Sequence, residues 1–197
     1  MYKQFLFIKI IIFCFAISSS YSFEKNAEQL VQSTTDDAKE IILNKQIKSS
    51  EKKNQIEKIA LNVVDVDGLS RFSLGPHRKN LSEKQLEEYT RVFRLFFAKN
   101  ISSRLQNYSD QNIKVIGSKK INENYVMVKS KMTSKIDKQE IMIDWRVFKI
   151  KEKLVIRDLV VEGLSLAKTQ REEFNSIFLS KGFEGLMTSL NDFISKN

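Results

Sequence analysis

The stretch "IRDLVVEGLSLAKTQREEF", residues 156–174, begins with the composition of a strand and ends with that of a helix. Its first half is rich in Ile, Leu and Val, residues that favour strands or apolar cores, and this pattern stops at Gly163. After it, Leu166, Gln170 and Phe174 recur at intervals of four, which is the spacing of one helix face. The stretch predicts a strand that runs directly into an amphipathic helix, with Gly163 as a hinge-like joint.

Four runs of residues predict strands, and this stretch contains the end of the last one. In the third run, Ile141, Ile143 and Trp145 alternate with more polar neighbours, so one face of the sheet is apolar and these three side chains face the interior. The connections of about four to six residues suit antiparallel neighbours. The predicted strands cover residues 112–118, 123–133, 139–149 and 153–162.

The most distinct helix signal follows Leu81. Ser82 and Gln85 have the spacing of a capping box, and an apolar stripe of three- and four-residue intervals runs on as far as Tyr108. Other predicted helices span residues 28–47, surround Ile56, end at Gly75, and follow Gly163 with a break at Gly182. The order of elements predicts an α+β domain in which the long Phe-rich helix covers a four-stranded antiparallel sheet.

Residues 1–22 have the order of a secretory signal peptide. Lys3 precedes an apolar run from Phe5 to Ile17, and Ser20 and Ser22 occupy suitable positions for cleavage before Phe23. The run is shorter than the roughly 20 residues of a membrane span, although an uncleaved anchor is the alternative. Residues 23–197 then form a single domain without the chain's one cysteine, which lies at position 14.

The formal charge of +9 carries little functional information by itself. Removing residues 1–22 takes away two lysines and no acid, which leaves +7. The basic residues are scattered, with no run of five or six, so the sequence predicts a Lys-rich solvated surface and no nucleic-acid partner.

The sequence lacks most of the usual catalytic and metal-binding sets. His77 is the only histidine and is expected in a solvent-exposed turn, so zinc sets and His-dependent triads are absent, and no cofactor is predicted. The "DVDG" run at 65–68 is interpreted as a helix entry with Asp67 as its cap. Tyr125 and Asp158 remain as a candidate pair for a small-molecule enzyme with an apolar pocket.

The chain contains 14 phenylalanines against one tryptophan. A packed core explains most of this excess, and an apolar cavity lined by the same residues explains it equally well. Composition does not separate the two.

Residues 143–190 contain four short motifs in a distinctive order: "DWR" at 144–146, "VEGLSL" at 161–166, "TQREEF" at 169–174 and "GFEGL" at 182–186. With these motifs the segment resembles the C-terminal half of the MlaC family of periplasmic phospholipid-binding proteins. Upstream, Leu74-Gly75 and the aromatic helix match in order and spacing, so the resemblance covers nearly the whole of residues 23–197. One departure is His77-Arg78, which stands where the family usually has an aromatic pair.

The resemblance implies a cone similar to nuclear transport factor 2, with a curved sheet and helices that enclose a deep apolar cavity for lipid tails. It implies a periplasmic carrier that shuttles phospholipid and maintains outer-membrane lipid asymmetry. Its partners would be an outer-membrane lipoprotein complex and an inner-membrane lipid ABC transporter with its periplasmic substrate-binding subunit. The alternatives are the enzyme with Asp158 and Tyr125 in the cavity, and a basic protein that adheres to anionic membranes.

The residues expected to line the cavity come from the long helix, the apolar strand face and the opening stretch. Leu164 and Leu166 are expected to turn inwards where the chain leaves the sheet. The full set is Leu74, Phe93, Phe97, Ile141, Ile143, Trp145, Ile156, Val160, Leu164 and Leu166.

Overall fold

The structure is a computed structural model that describes residues 2–105, 111–134 and 139–197, with side chains described from Ser22 onward. Most of the predicted signal peptide, and Tyr108 of the predicted stripe, lie outside the described side chains. The helices are α1 (Tyr2–Leu43), α2 (Ser49–Val63), α3 (Val66–Leu74), α4 (Glu83–Leu105) and α5 (Leu166–Lys196), with a 3-10 helix at Gly75–Asn80 between α3 and α4. The strands are β1 (Asn112–Asn122), β2 (Tyr125–Thr133), β3 (Glu140–Ile150), β4 (Lys153–Val161) and β5 (Leu164–Ser165).

The strands form one antiparallel sheet in the order β1-β2-β3-β4-β5. The α+β class and the antiparallel order are as predicted, but the sheet has five strands rather than four. The fifth was missed because a strand of two residues is too short to show an alternating pattern. Register shifts between Val115 and Gly117 and between Arg146 and Val147 mark bulges, which bend strands.

The apolar face of β3 has the predicted parity. Ile143 and Trp145 are buried, and Ile141 packs against the same apolar cluster. The indole Nε1 of Trp145 donates a hydrogen bond of 2.8 Å to the hydroxyl of Ser130, which is fully buried on β2. This bond satisfies the polar atom of the largest side chain on the inner face.

Helix α1 covers this face of the sheet. Ala27 and Val31 are fully buried in the cluster that holds the inward side chains of β2, β3 and β4. Gln32 ties the helix to β1, because its side-chain oxygen accepts from the Val115 amide at 2.9 Å while its nitrogen donates to the Ile113 carbonyl at 3.3 Å. We call this group the sheet cluster.

Helix α4 packs mainly against α2, α3 and α5, so the prediction that it covers the sheet is wrong. Its aromatic residues instead meet those of α5: the rings of Phe93 and Phe174 lie 6.2 Å apart edge to face, and those of Phe96 and Phe193 lie 5.0 Å apart. Both α1 and α4 have apolar stripes. The aromatic rings of α4 pack against those of α5, and α1 therefore covers the sheet. We call this second group, which spans α3, α4 and α5, the helical cluster.

The start of α4 follows its sequence signal. The Ser82 amide donates to Gln85 Oε1 at 3.0 Å, and the Gln85 amide donates to Ser82 Oγ at 3.3 Å. The reciprocal bonds of the predicted capping box are therefore present. Helix α5 also follows its signal, because the backbone is non-helical at Gly182, with φ 66°.

Helix α3 begins at Val66 with Asp65 as its cap, not Asp67 as predicted. The Asp65 side chain accepts from the Gly68 amide at 3.0 Å, and it accepts from Arg157 Nε on β4 at 2.7 Å. The Asp65 amide in turn donates to the Ile156 carbonyl. Asp65 caps the helix in place of Asp67 because its carboxylate accepts hydrogen bonds from both the first turn of α3 and Arg157 on the bulged strand β4.

Candidate functional site

The opening stretch folds as a tight hairpin before it enters α5. Val161 pairs with Leu164, and the two residues between them, Glu162 and Gly163, have φ of 49° and 83°. Positive φ at both positions is the pattern of a type I′ turn. Leu164 is 69% exposed and Leu166 is 45% exposed, so the expectation that they turn inwards is wrong. The hairpin redirects the chain before those side chains reach the interior.

Asp158 holds the end of the sheet and the start of α5 together. Its side chain is buried, Oδ2 accepts from Ser165 Oγ at 2.6 Å, and Oδ1 accepts from the Ala167 amide at 2.9 Å. Ser165 is the cap of α5 and accepts from the Lys168 amide. The Arg146 guanidinium lies 3.5 Å from Asp158 Oδ2. The carboxylate therefore lies at the positive end of a helix with a cation beside it.

Tyr125, the other member of the candidate enzyme pair, packs on an aromatic ring. Its ring lies parallel to that of Phe148 at 4.5 Å. Burial raises the pKa of the Tyr125 hydroxyl, the Arg146 guanidinium lowers that pKa, and the Asp158 and Asp144 carboxylates raise it again. The hydroxyl is therefore protonated at neutral pH, and both carboxylate oxygens of Asp158 are occupied by the helix joint.

The predicted lining residues fall into separate groups. Leu74, Phe93 and Phe97 belong to the helical cluster, whereas Ile141, Ile143, Trp145 and Ile156 belong to the sheet cluster. Val160 is partly buried and pairs across the sheet with Asp144, on the face opposite Trp145. Val64 packs against both clusters and so marks where the two apolar layers meet.

His77 is partly buried rather than solvent-exposed as predicted. Its ring stacks on Phe178 of α5 at 4.1 Å, and its Nε2 lies 2.7 Å from Asn175 Oδ1. The stacked imidazole thus provides an aromatic contact at the position where the sequence departs from the family's aromatic pair. These two contacts of His77 hold the 3-10 helix against α5.

A surface cleft of about 750 Å³ opens between α3, the 3-10 helix and α4. Its base includes Leu74 and Leu86, and its walls carry a majority of basic side chains. Sequence analysis missed it because the basic residues come from three elements. The local signals are short: Arg78 and Lys79 are adjacent, and the spacing of three between Arg91 and Arg94 places both on one face of α4.

Neither a metal centre nor a membrane-crossing helix is found in the described part of the chain. No group of three or more His, Cys, Asp or Glu side chains there is placed to hold a metal ion. No helix within those residues is both long and apolar enough to cross a membrane.

The family model for MlaC protein matches residues 32–192. This chain belongs to the MlaC family. A search of the curated proteins gives no match. Among solved structures, a phospholipid-binding protein from Ralstonia solanacearum in complex with a phospholipid matches with a TM-score of 0.72 and 18% identity. The match covers 86% of this chain and 97% of that chain, so this MlaC-family chain shares the fold over its main body.

Tyr89 is expected to make the stability of the helical cluster fall at alkaline pH. It is fully buried on α4, with its hydroxyl 2.7 Å from Ser73 Oγ. Burial raises its pKa well above the ordinary value, and the Ser73 hydrogen bond lowers it in part. A raised pKa stabilises the fold below the unfolded value of about 10, and this stability is lost as pH rises above it.

We therefore expect stability to fall by about 1.4 kcal/mol per pH unit for this group above pH 10. Tyr89→Phe removes the hydrogen bond to Ser73, so the free energy of unfolding at pH 7 should fall by about 1 kcal/mol. Above pH 10, the free energy of unfolding of this variant should decrease less steeply with pH than that of the wild-type protein. Urea unfolding from pH 7 to 11 measures both effects. Equal slopes for the two proteins would contradict the assignment.

Proposed function

We propose that this chain is a non-enzymatic periplasmic carrier that binds phospholipid tails between its helical and sheet clusters. The observation that carries the proposal is membership of the MlaC family across residues 32–192. The shared fold with a protein that has been solved with a bound phospholipid supports it. In this chain, the two apolar layers meet at Val64, so a tail entering there would contact both.

Such a carrier needs apolar walls more than reactive groups. Burying an acyl chain contributes about 0.8 kcal/mol per CH₂, so two tails are held without any charged contact. The predicted lining residues of α4 and β3 provide walls of this kind. The occupied carboxylate of Asp158 agrees with a structural role for that residue.

The proposed route lies between two membrane systems. Lipid would pass between an outer-membrane lipoprotein complex and the inner-membrane ABC transporter with its substrate-binding subunit. Residues 1–22 would direct secretion and be removed, which leaves residues 23–197 as the carrier domain.

Purification of the full chain from the periplasm of a Gram-negative host tests the proposal. We expect organic extraction and mass spectrometry to find phospholipid near one molecule per chain, and intact mass to place the N-terminus at Phe23. A folded protein that contains no phospholipid would overturn the carrier assignment. An intact N-terminus on a membrane-bound chain would overturn the signal peptide.

Charged substitutions test where the tails lie. Phe97→Glu and Ile141→Glu alter partly buried walls of the two clusters, whereas Leu95→Glu alters a residue on α4 that is 48% exposed. A carboxylate on the wall must keep water, so we expect the wall variants to fold but lose co-purified phospholipid about tenfold. The Leu95 control should retain it. Full retention by both folded wall variants would place the tails elsewhere.

A further inference from the structure

The cleft between α3 and α4 has a marked excess of positive charge. Arg71 lies on α3, Arg78 and Lys79 on the 3-10 helix, and Arg91 and Arg94 on α4. Two carboxylates, Asp67 and Glu87, also line it. Five basic groups against two acidic ones leave a net charge of +3 in one concavity.

Most of these cations have no charged or hydrogen-bonding partner among the described residues. Arg94 pairs with Asp67 at 2.6 Å, which neutralises one group of each sign. The other four cations form no ion pair or side-chain hydrogen bond with the described residues; they are Arg71, Arg78, Lys79 and Arg91. Of the two acidic residues that line the cleft, only Glu87 remains to offset their charge. Like charges gathered in a concave site repel one another, and an anion bound among them relieves that repulsion.

The base of the cleft is apolar and continuous with the interior. Leu74 lines the cleft, is only 3% exposed, and belongs to the helical cluster together with Phe93 and Phe174. Leu86 also lines the base of the cleft and packs on the same cluster. A ligand with an anionic group at the rim would thus place its next carbon atoms against leucine.

We infer that this cleft binds the phosphate headgroup of an anionic phospholipid, an inference that rests on the proposed carrier function. Arginine donates paired hydrogen bonds to phosphate oxygens, and three of the four unpaired cations are arginines. A headgroup with a net negative charge is favoured over a zwitterionic one, because the cleft repels a choline or ethanolamine cation. The cleft therefore selects the lipid class, while the apolar layers hold the tails.

Calorimetric titration with water-soluble lipids tests this. The probes are dihexanoyl-phosphatidylglycerol, dihexanoyl-phosphatidylcholine and inorganic phosphate, each added to lipid-extracted protein. We expect phosphatidylglycerol to bind about tenfold more tightly than phosphatidylcholine, since the net positive charge of the cleft attracts its net negative headgroup and repels the choline cation. Inorganic phosphate should bind more weakly than phosphatidylglycerol, because it lacks the contact with Leu74.

The variant Arg71→Gln/Arg91→Gln removes two unpaired cations. Its control, Lys58→Gln/Lys84→Gln, removes the same charge from exposed positions outside the cleft. We expect the first variant to lose the tenfold preference for phosphatidylglycerol over phosphatidylcholine, while the control keeps it. Retention of the preference by the cleft variant, or equal loss in both variants, would overturn the inference.

The remaining outcomes separate this inference from the proposed function. Inorganic phosphate that binds as tightly as phosphatidylglycerol would make the cleft a free-phosphate site and overturn the headgroup assignment. Wild-type and cleft-variant proteins that carry the same lipid classes from the periplasm would also overturn it, while leaving the carrier function intact. Purified protein without lipid that still prefers phosphatidylglycerol would support the cleft and contradict the carrier.

Discussion

We expect Asp158→Ala to lower the free energy of unfolding by about 3 kcal/mol, a large share of the roughly 5–15 kcal/mol by which single domains are stable. The substitution removes two hydrogen bonds to a buried carboxylate and leaves Ser165 Oγ and the Ala167 amide without that acceptor. It also removes the counter-charge of Arg146. Denaturant unfolding followed by far-UV circular dichroism measures the loss.

Asp144→Ala is the matched control for this substitution. Asp144 lies on the same sheet face, is partly buried, and has no hydrogen bond or ion pair with the described residues. We expect a change below about 0.5 kcal/mol. Asp158→Asn should give an intermediate loss, because the amide oxygen retains one acceptor. An Asp158→Ala protein as stable as the control would show that the carboxylate does not hold the joint, and would reopen its assignment as a reactive group.

Local signals in the sequence predicted the parts of the fold that local contacts determine. The alternation of Ile141, Ile143 and Trp145 gave the parity of β3, because successive side chains of any strand point to opposite faces. The Ser82 and Gln85 box gave the start of α4, because its bonds close within three residues. Both signals concern neighbours along the chain.

Choices between distant partners were less predictable. Either α1 or α4 offered an apolar stripe to cover the sheet, and no local pattern distinguishes the partner of one stripe from that of another. Packing decided it: Ala27 and Val31 lie against the sheet, while the rings of α4 meet those of α5. The same reasoning explains Leu164, whose exposure depends on a two-residue turn that a composition pattern does not resolve.

The basic cleft is the part of the candidate site that depends most on contacts between residues distant in the sequence. Arg71 and Arg91 are 20 positions apart and meet only because α3 packs against α4. Along the sequence each is one of many scattered cations, and such a distribution predicts a solvated basic surface. The apolar lining residues were easier to propose, but which of them contact lipid stays a prediction.

Phe93→Ala is expected to have the largest effect of any substitution in the helical cluster. Phe93 is 3% exposed, and its ring contacts those of Tyr89, Phe96, Phe97 and Phe174. Truncation leaves a cavity that these rings fill only in part, so we expect a loss of about 4 kcal/mol. Leu95→Ala, on the exposed side of the same helix, should lose less than about 0.5 kcal/mol.

Measuring this loss with and without bound phospholipid distinguishes a core residue from a cavity wall. If acyl chains reach Phe93, they fill part of the space that truncation leaves, and the loss is smaller in the lipid-loaded protein than in the extracted one. If Phe93 packs only against its neighbouring rings, the two losses are equal. A loss below about 1 kcal/mol in both forms would contradict the packing described for α4 and α5, because truncation of a buried phenylalanine with four ring contacts should lower the free energy of unfolding by more than this.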